Sequence, residues 1–265
     1  MQSAERLAAA TLETLLYAVD ANDKVTGQHM RRTAAYALCI AEGLGLSDLE
    51  RRKIERVALF HDVGKLHAAL FDIVHEDSKL TPEERAQIAT HPERGAEVLT
   101  PLAAFYPELP DGVLAHHERW DGTGYPRRLA GGCIPFSARL VAIADTFDAI
   151  THSRRYHGGE GPDRGLHVIR EGRGTQFDPH LADVFLSPAV ERNVRRTFAR
   201  FRPDGITDAS VAPTRRPRTG RAERRTDEIE SSVPDVRFRW RAPSPVASEA
   251  SAGTPTRTEG APPEA

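Results

Sequence analysis

An apolar segment that carries titratable side chains, LFHDVGKLH at residues 59–67, constrains this chain more than any other feature. The segment continues the helical pattern of the residues before it, yet it contains His61, Asp62 and Lys65. Burying such groups costs free energy unless other polar groups or ions pair with them. The sequence therefore predicts a helix whose polar side chains meet partners from elsewhere in the chain.

Apolar residues recur at helical spacing through most of residues 1–200. The pattern predicts helices over Leu7–Val19, about Thr26–Glu42 and 134–151. The segments SDLE (47–50) and TPEE (81–84) have the form of capping boxes, which mark two further helix starts. Since no alternating run of strand length occurs, the predicted fold class is all-α.

The composition changes near residue 200. Residues 201–265 are rich in Pro, Arg, Ser, Thr and Ala, and their few large apolar residues follow no period. Such a segment cannot bury enough surface to offset the entropy lost on ordering. We predict one helical domain over residues 1–200 and a disordered tail over 201–265.

Charge and composition exclude several classes of protein. The formal net charge is -2, so no global field favours nucleic acid or a membrane surface. No apolar run approaches the length of a membrane span, and the N-terminus lacks the apolar core of a signal peptide. The two cysteines have no metal or redox spacing, which is typical of free thiols in a reducing compartment. We expect a cytoplasmic protein without a membrane or nucleic-acid partner.

Several histidines and aspartates fall on or beside different predicted helices, and helices around one axis can direct such residues to a common point. The set comprises His29, His61, Asp62, His91, His116, His117 and Asp145. Imidazole and carboxylate ligands together suit iron, manganese, zinc or nickel rather than calcium. Without a cysteine ligand, an open catalytic site is favoured over a structural zinc site.

Adjacent pairs within this set carry the most information. Neighbours on a helix point about 100° apart, so His61 and Asp62 can both be ligands only if ions fill the space between them. A carboxylate at Asp62 that bridges two ions meets this condition, and the pair His116–His117 poses the same geometry. An isolated helical histidine is more often a surface or satisfied core residue, so His152 and the other remaining histidines receive no role.

Two motifs resemble known signatures. FHDVGK (60–65) resembles that of the HD superfamily of metal-dependent phosphohydrolases, and HHERWDGTGYP (116–126) resembles the HD-GYP family of cyclic di-GMP phosphodiesterases. Further segments match in the family's order: TGQHMRR (26–32), KLTPEE (79–84), THPERGAEVL (90–99), IPFSARLVAIADTFDAIT (134–151), SRRY (153–156) and GTQFDP (174–179). The resemblance covers about residues 10–188 and implies an HD-domain helical bundle extended by the GYP-bearing segment.

The resemblance also implies residue roles. The implied metal ligands are His29, His61, Asp62, His91, His116, His117 and Asp145. Lys65 would contact the scissile phosphate and, with Asp62, would be catalytic. Tyr125, Asp148 and Arg154 match substrate-contacting positions. For Asp148 a hydrogen bond to a ligating histidine is an equal alternative, and for Arg154 the alternative is a surface arginine.

Two positions depart from the family pattern. Three-metal members carry a glutamate four residues before the histidine that matches His29, where this chain has Val25. We therefore expect two divalent ions, with iron or manganese favoured and nickel or zinc as alternatives. The glycine that usually follows GYP is replaced by Arg128, which predicts a stiffer loop or a different contact.

The implied activity is hydrolysis of cyclic di-GMP to pGpG through a dinuclear metal centre and an activated water, with a second cleavage to GMP left open. One alternative is an HD phosphohydrolase that acts on another nucleotide. A second is a catalytically weak protein that senses cyclic di-GMP or interacts with other proteins. A diguanylate cyclase or a sensor protein is the expected kind of protein partner.

Overall fold

The computed structural model describes residues 2–66, 81–152 and 160–201. The α-helices in these ranges are α1 Gln2–Asn22, α2 Lys24–Gly43, α3 Asp48–Phe60, α4 Pro82–Ile88, α5 His91–Leu99, α6 Glu108–Leu114, α7 Phe136–Thr151, α8 Pro162–Glu171, α9 Pro179–Phe185 and α10 Pro188–Arg200. Short 3-10 helices cover Val63–Leu66, Thr100–Leu102 and Gly131–Cys133. The predicted all-α fold is confirmed: the described ranges hold no strand, only an isolated bridge between Arg173 and Phe177.

One sequence-based prediction falls largely beyond these ranges. The predicted tail at 201–265 lies outside the described residues apart from Phe201, so the division at residue 200 stays a prediction. Within the three ranges, no helix has both the length and the apolar character of a transmembrane segment.

Local sequence signals set several helix ends. Ser47 accepts a hydrogen bond from the backbone N–H of Glu50, whose carboxylate accepts from the backbone N–H of Ser47, so the predicted capping box is confirmed. Thr81 and Glu84 form the same reciprocal pair at the start of α4. Both pairs satisfy N–H groups that a helix start leaves unpaired.

The segment that follows α3 differs from the prediction. The helix ends at Phe60, and the chain turns into the 3-10 helix Val63–Leu66, so the prediction of one helix through Lys65 is wrong. The tight turn brings Gly64 against α5, where a Cβ would lie 2.1 Å from the His91 carbonyl oxygen and 2.7 Å from the Gly95 nitrogen. Only a glycine permits this approach, and the approach brings Asp62 to His91.

Helix α2 lies at the centre of the packing, against α1, α3, α7 and α10. Tyr36 of α2 packs edge-on against Phe147 of α7 at a ring distance of 4.9 Å, and Phe147 packs in the same way against Phe185 at 5.3 Å. All three rings are buried, and such pairs fix the spacing of helices as well as burying apolar area. The packing places His29 of α2 opposite Asp145 and Asp148 of α7.

Replacing Gly64 by alanine should destabilise the domain by about 1–3 kcal/mol, because the new Cβ meets backbone atoms that have no room to move. Gly132→Ala is the matched control, since a Cβ there has nothing within 4 Å. Thermal unfolding of the full chain in a chelator, which removes any contribution from bound ions, would measure both. Equal midpoints for the two variants would contradict the close approach.

Candidate metal centre

Asp62 lies between two groups of histidines. Its side chain is 2% exposed. Its Oδ1 lies 3.2 Å from His91 Nε2, and its Oδ2 lies 3.5 Å from His61 Nε2 and 3.6 Å from His29 Nε2. Lys65 Nζ donates to the same Oδ2 at 2.6 Å. One carboxylate therefore faces both groups, one oxygen toward each, which is the arrangement that a bridging ligand requires.

The first group joins α2, the end of α3 and α7. His29, His61 and Asp62 each offer a ligand atom within 4.8 Å of the others. Asp145 Oδ1 completes the group, at 3.0 Å from His29 Nε2 and 3.8 Å from His61 Nε2. These four side chains could hold one ion.

The second group joins the start of α5 to the residues after α6. His91, His116 and His117 offer ligand atoms within 4.8 Å of one another. The Nε2 atoms of His91 and His116 are 3.1 Å apart. With the Oδ1 of Asp62, these imidazoles could hold a second ion.

Backbone carbonyls determine the tautomers of three of these histidines. His61 Nδ1 lies 2.8 Å from the Ala58 carbonyl oxygen, His91 Nδ1 2.7 Å from that of Ile88, and His116 Nδ1 2.6 Å from that of Val113. A carbonyl oxygen only accepts hydrogen bonds, so each Nδ1 carries the proton and donates it. In the neutral rings each Nε2 is then a bare lone pair that points into the site.

The electrostatics favour the charge states that metal ligands need. Burial lowers the pKa of His61 and His116, and it lowers the pKa of His117 to about 3, so these rings are neutral at pH 7. Burial alone would raise the pKa of Asp62, but the Lys65 ammonium and the neighbouring histidines hold it well below its usual range. His61, His116 and His117 are therefore neutral imidazoles beside an ionised Asp62.

His29 has the opposite shift. Burial alone would lower its pKa, but hydrogen bonds with Asp145 and Asp148 and the charges of both carboxylates raise the pKa to about 9. In the ion-free site this ring carries a proton on each nitrogen. An ion at Nε2 would have to displace one of them.

Unpaired polar atoms test whether the residues fit a pair of ions. His61 Nε2 and Asp62 Oδ1 are buried and have no hydrogen-bond partner in the described part of the chain. Buried polar atoms are otherwise nearly always paired. The Nε2 atoms of His91 and His116 face each other at 3.1 Å, and when both rings are neutral their lone pairs repel unless a cation lies between them. Two divalent ions with nitrogen and oxygen ligands satisfy all of these atoms.

The residues predicted to contact substrate have different positions. Asp148 is 1% exposed and bonds to His29 Nδ1 at 2.6 Å, a geometry that favours the alternative of a hydrogen bond to a ligating histidine. Tyr125 stacks on the His117 ring at 4.9 Å. Arg154 lies outside the described residues.

A buried carboxylate shapes the GYP-bearing loop. Glu118 is 3% exposed, and its two oxygens accept from the backbone N–H groups of Arg127 and Leu129 at 2.7 and 3.0 Å. These bonds curve the loop around Glu118 and bring Tyr125 against His117. Arg128, between the two donors, has a φ of 55°, in the left-handed region that favours glycine.

A pocket of about 210 Å³ opens beside the second group. His117, Tyr125, Asp145, Thr146 and Gln176 are among its lining residues. Asp145 and His117, both incompletely buried, connect the ligand cluster to this pocket. Part of a ligand in the pocket would therefore lie directly against the candidate ion sites.

Sequence reasoning assigned no role to four residues that the structure places at the site. Arg32 and His152 both bond to Asp148, Glu118 organises the loop, and Gln176 lines the pocket. Local spacing carried some signal, because Arg32 is one helical turn after His29 and His152 one turn after Asp148. Glu118 acts through an irregular loop that follows no helical spacing, and Gln176 meets Thr146 from 30 positions away, so spacing does not reveal either residue.

Arg128→Gly should stabilise the domain by up to about 1 kcal/mol, because relief of the steric cost of a positive φ exceeds the cost of the freedom that glycine adds to the unfolded chain. Arg127→Gly is the matched control. It has no positive φ to relieve and should lose up to about 1 kcal/mol through added freedom of the unfolded chain. Urea unfolding would give the free energy of unfolding of both variants, and the comparison holds if their m-values equal that of the wild type. A loss of stability in both variants would contradict the strain at Arg128.

The sequence of this chain is similar to a known protein family and to several characterised phosphodiesterases. The sequence profile of the HD domain matches residues 14–181. A cyclic di-GMP phosphodiesterase response regulator of Xanthomonas campestris is 37% identical over 187 residues, which are 70% of this chain and 49% of that protein. A 3'3'-cGAMP-specific phosphodiesterase of Vibrio cholerae is 36% identical over 173 residues, 65% of this chain and 33% of that protein.

A solved structure supports the fold. The cyclic GMP-AMP specific phosphodiesterase V-cGAP3 of Vibrio cholerae matches with a TM-score of 0.53 and 23% identity, covering 71% of this chain and 50% of that one. The chain spans about a third to a half of the length of the curated relatives it matches. These findings confirm the resemblance to HD-GYP proteins that the motifs indicated, and the chain belongs to the HD domain family.

Proposed function

We propose that this chain is a metal-dependent phosphodiesterase that hydrolyses cyclic di-GMP to pGpG through a centre of two divalent ions. The observation that carries the proposal is the position of Asp62, a buried carboxylate with one oxygen toward each of two histidine groups. The proposed ligands are His29, His61, Asp62 and Asp145 for one ion and Asp62, His91, His116 and His117 for the other. Iron or manganese is favoured, and nickel or zinc also suits these ligands.

When bound, the two ions would supply activation of a water for attack on phosphorus and stabilisation of charge on the phosphoryl oxygens. The protein's own groups complement that chemistry. Lys65 lies at the edge of the first group with 19% of its side chain exposed, within reach of a phosphate beside Asp62. We assign it to neutralise charge that develops on the phosphoryl oxygens.

The neighbouring loop and pocket orient the substrate in this proposal. Tyr125 holds the His117 ring by stacking, and Glu118 holds the loop that carries Tyr125. A pocket of about 210 Å³ is smaller than the usual site for a drug-sized ligand. We infer that one part of the cyclic dinucleotide enters it while the rest lies over the adjacent surface.

The relatives support a cyclic dinucleotide and leave two candidate substrates. Some are named cyclic di-GMP phosphodiesterases and others are named 3'3'-cGAMP-specific. The phosphodiester chemistry is common to both molecules, so 3'3'-cGAMP is the second candidate. The cytoplasmic location and a diguanylate cyclase or sensor partner, both expected from the sequence, are further proposals.

The decisive experiment combines metal content with product analysis. The full chain, purified without oxygen and loaded with Mn²⁺, should hold two ions and convert cyclic di-GMP to pGpG, with GMP as the product of any second cleavage. Asp62→Ala should lose bound metal and reduce turnover by more than about 100-fold, because it removes the shared ligand. Glu108→Gln, in the Arg56–Glu108 pair of α3 and α6, is the control and should keep both properties.

Each part of the proposal can fail separately. Unchanged metal content in Asp62→Ala would remove the bridging role of Asp62. A folded, fully loaded wild-type chain that leaves cyclic di-GMP intact but cleaves 3'3'-cGAMP would replace the substrate. If it binds cyclic di-GMP and cleaves neither molecule, the sensor alternative would stand instead.

Metal affinity should depend on pH because of His29. With a pKa of about 9, its ring is protonated at neutral pH, and an ion bound at Nε2 must release that proton. The apparent affinity of the Mn²⁺ step at the His29 group should therefore rise about tenfold per pH unit between pH 7 and 8.5. Calorimetric titration in buffers of different ionisation enthalpy would count the released protons. An affinity that does not change over this range would contradict protonation of His29.

A further inference from the structure

His29 differs from the other candidate ligands in how its ring is held. His61 follows the last residue of α3, His91 begins α5 just after α4, and His116 comes just after α6. The last carbonyls of a helix lack intrahelical partners, so they are free to accept from these rings. His29 lies inside α2, where the nearby carbonyls are already bonded within the helix. Its Nδ1 therefore needs an acceptor from another part of the chain.

Asp148 is that acceptor. It lies on α7, 119 positions later in the sequence, and its Oδ2 is 2.6 Å from His29 Nδ1. The contact directs the other nitrogen, Nε2, toward Asp145 and Asp62. A carboxylate at the far nitrogen of a metal-ligating imidazole fixes the ring orientation and strengthens the ring as a ligand.

Asp148 is itself fully engaged by protein groups. Arg32 donates from Nε to Oδ1 at 2.7 Å and from Nη2 to Oδ2 at 2.9 Å. His152 Nδ1 lies 3.1 Å from Oδ1. With both oxygens bonded and 1% of the residue exposed, Asp148 offers no free surface to an ion or a substrate. The two-point contact with Arg32 fixes the carboxylate plane in a way that a single point charge would not.

We propose that Asp148, clamped by Arg32, is the positioning residue that makes His29 a ligand, so that one of the two ions depends on the Arg32–Asp148 pair. This inference rests on the two-ion centre proposed above. The ion at His91, His116 and His117 has no such dependence, because backbone carbonyls beside them orient His91 and His116. Damage to the pair should therefore remove one ion and spare the other.

Asp148→Asn tests this with little change in shape. The asparagine amide cannot accept at both atoms, so it places an N–H group against a donor of Arg32, His29 or His152. Arg32→Lys is the second variant, which keeps the positive charge and loses the two-point contact. The controls are Glu108→Gln and Arg56→Lys, because Arg56 and Glu108 form a similar buried pair between α3 and α6, with Nε 2.8 Å from Oε1.

The measurement is Mn²⁺ binding to the metal-stripped full chain, without substrate. Calorimetry should give two binding steps for the wild type and both controls. In Asp148→Asn and Arg32→Lys one step should weaken by about 10- to 100-fold and the other should be unchanged. Electron paramagnetic resonance gives an independent readout, since the coupled signal of a Mn²⁺ pair should become the hyperfine-split signal of an isolated ion. Circular dichroism and thermal unfolding in a chelator would verify folding.

The outcomes separate this inference from the proposed function. Two unchanged binding steps in a folded Asp148→Asn or Arg32→Lys chain would overturn the positioning role, and so would equal weakening of both steps. If Asp148→Asn does not fold, Arg32→Lys decides by the same criteria. A wild-type chain that binds two ions but cleaves no cyclic dinucleotide would overturn the phosphodiesterase proposal alone, and one that binds fewer than two ions would overturn both.

Discussion

A buried negative charge faced by imidazole lone pairs is the constraint around which this protein is arranged. Asp62 is ionised and almost fully buried, and the Nε2 atoms of His61 and His91 point toward it. Two groups of electron-rich atoms at such distances are stable only with positive charge between them. Lys65 supplies part of it at one oxygen, and two divalent ions would supply the rest. The abrupt end of α3 and the close approach of Gly64 to α5 place Asp62 at this position.

Helix ends and helix interiors provide different kinds of support for a ligand. At a helix end the unpaired carbonyls orient an imidazole at no cost to the helix, so the sequence needs no further residue. In a helix interior that support must come from a side chain on another element. His29 is of the second kind, and α7 supplies both Asp145 and the buried Asp148 to it. The packing of α2 against α7 is therefore part of the site, and the Tyr36–Phe147 contact that sets their spacing contributes to it.

The sequence alone predicted those parts of the structure that depend on interactions between residues close together in the chain. The capping box at Ser47 and the apolar period of α7 are local, and both are confirmed. The continuation of α3 through Lys65 was predicted from the same apolar pattern and is wrong, because the contact of Gly64 with α5 overrides it. The candidate ligands were singled out by their placement on different predicted helices and received their roles from motif resemblance. The Arg32–Asp148 contact joins residues 116 positions apart, and no local pattern encodes such an approach.

For the phosphodiesterase activity proposed above, selectivity among cyclic dinucleotides has to arise away from the ligand cluster. The ions and Lys65 would act on the phosphodiester, which cyclic di-GMP and 3'3'-cGAMP have in common, so they cannot distinguish the two. The bases differ in the donors and acceptors along their edges, so discrimination needs hydrogen-bonding groups near the site that pair with one base and not with the other. Among the residues that line the pocket, the Gln176 amide offers both a donor and an acceptor, and its Nε2 lies 3.4 Å from the Thr146 hydroxyl oxygen. Gln176 follows α8, and its backbone carbonyl accepts a hydrogen bond from the Trp120 N–H at 3.1 Å. Trp120 comes three residues after His117, so this bond fixes the position of the amide relative to the segment that carries a candidate ligand.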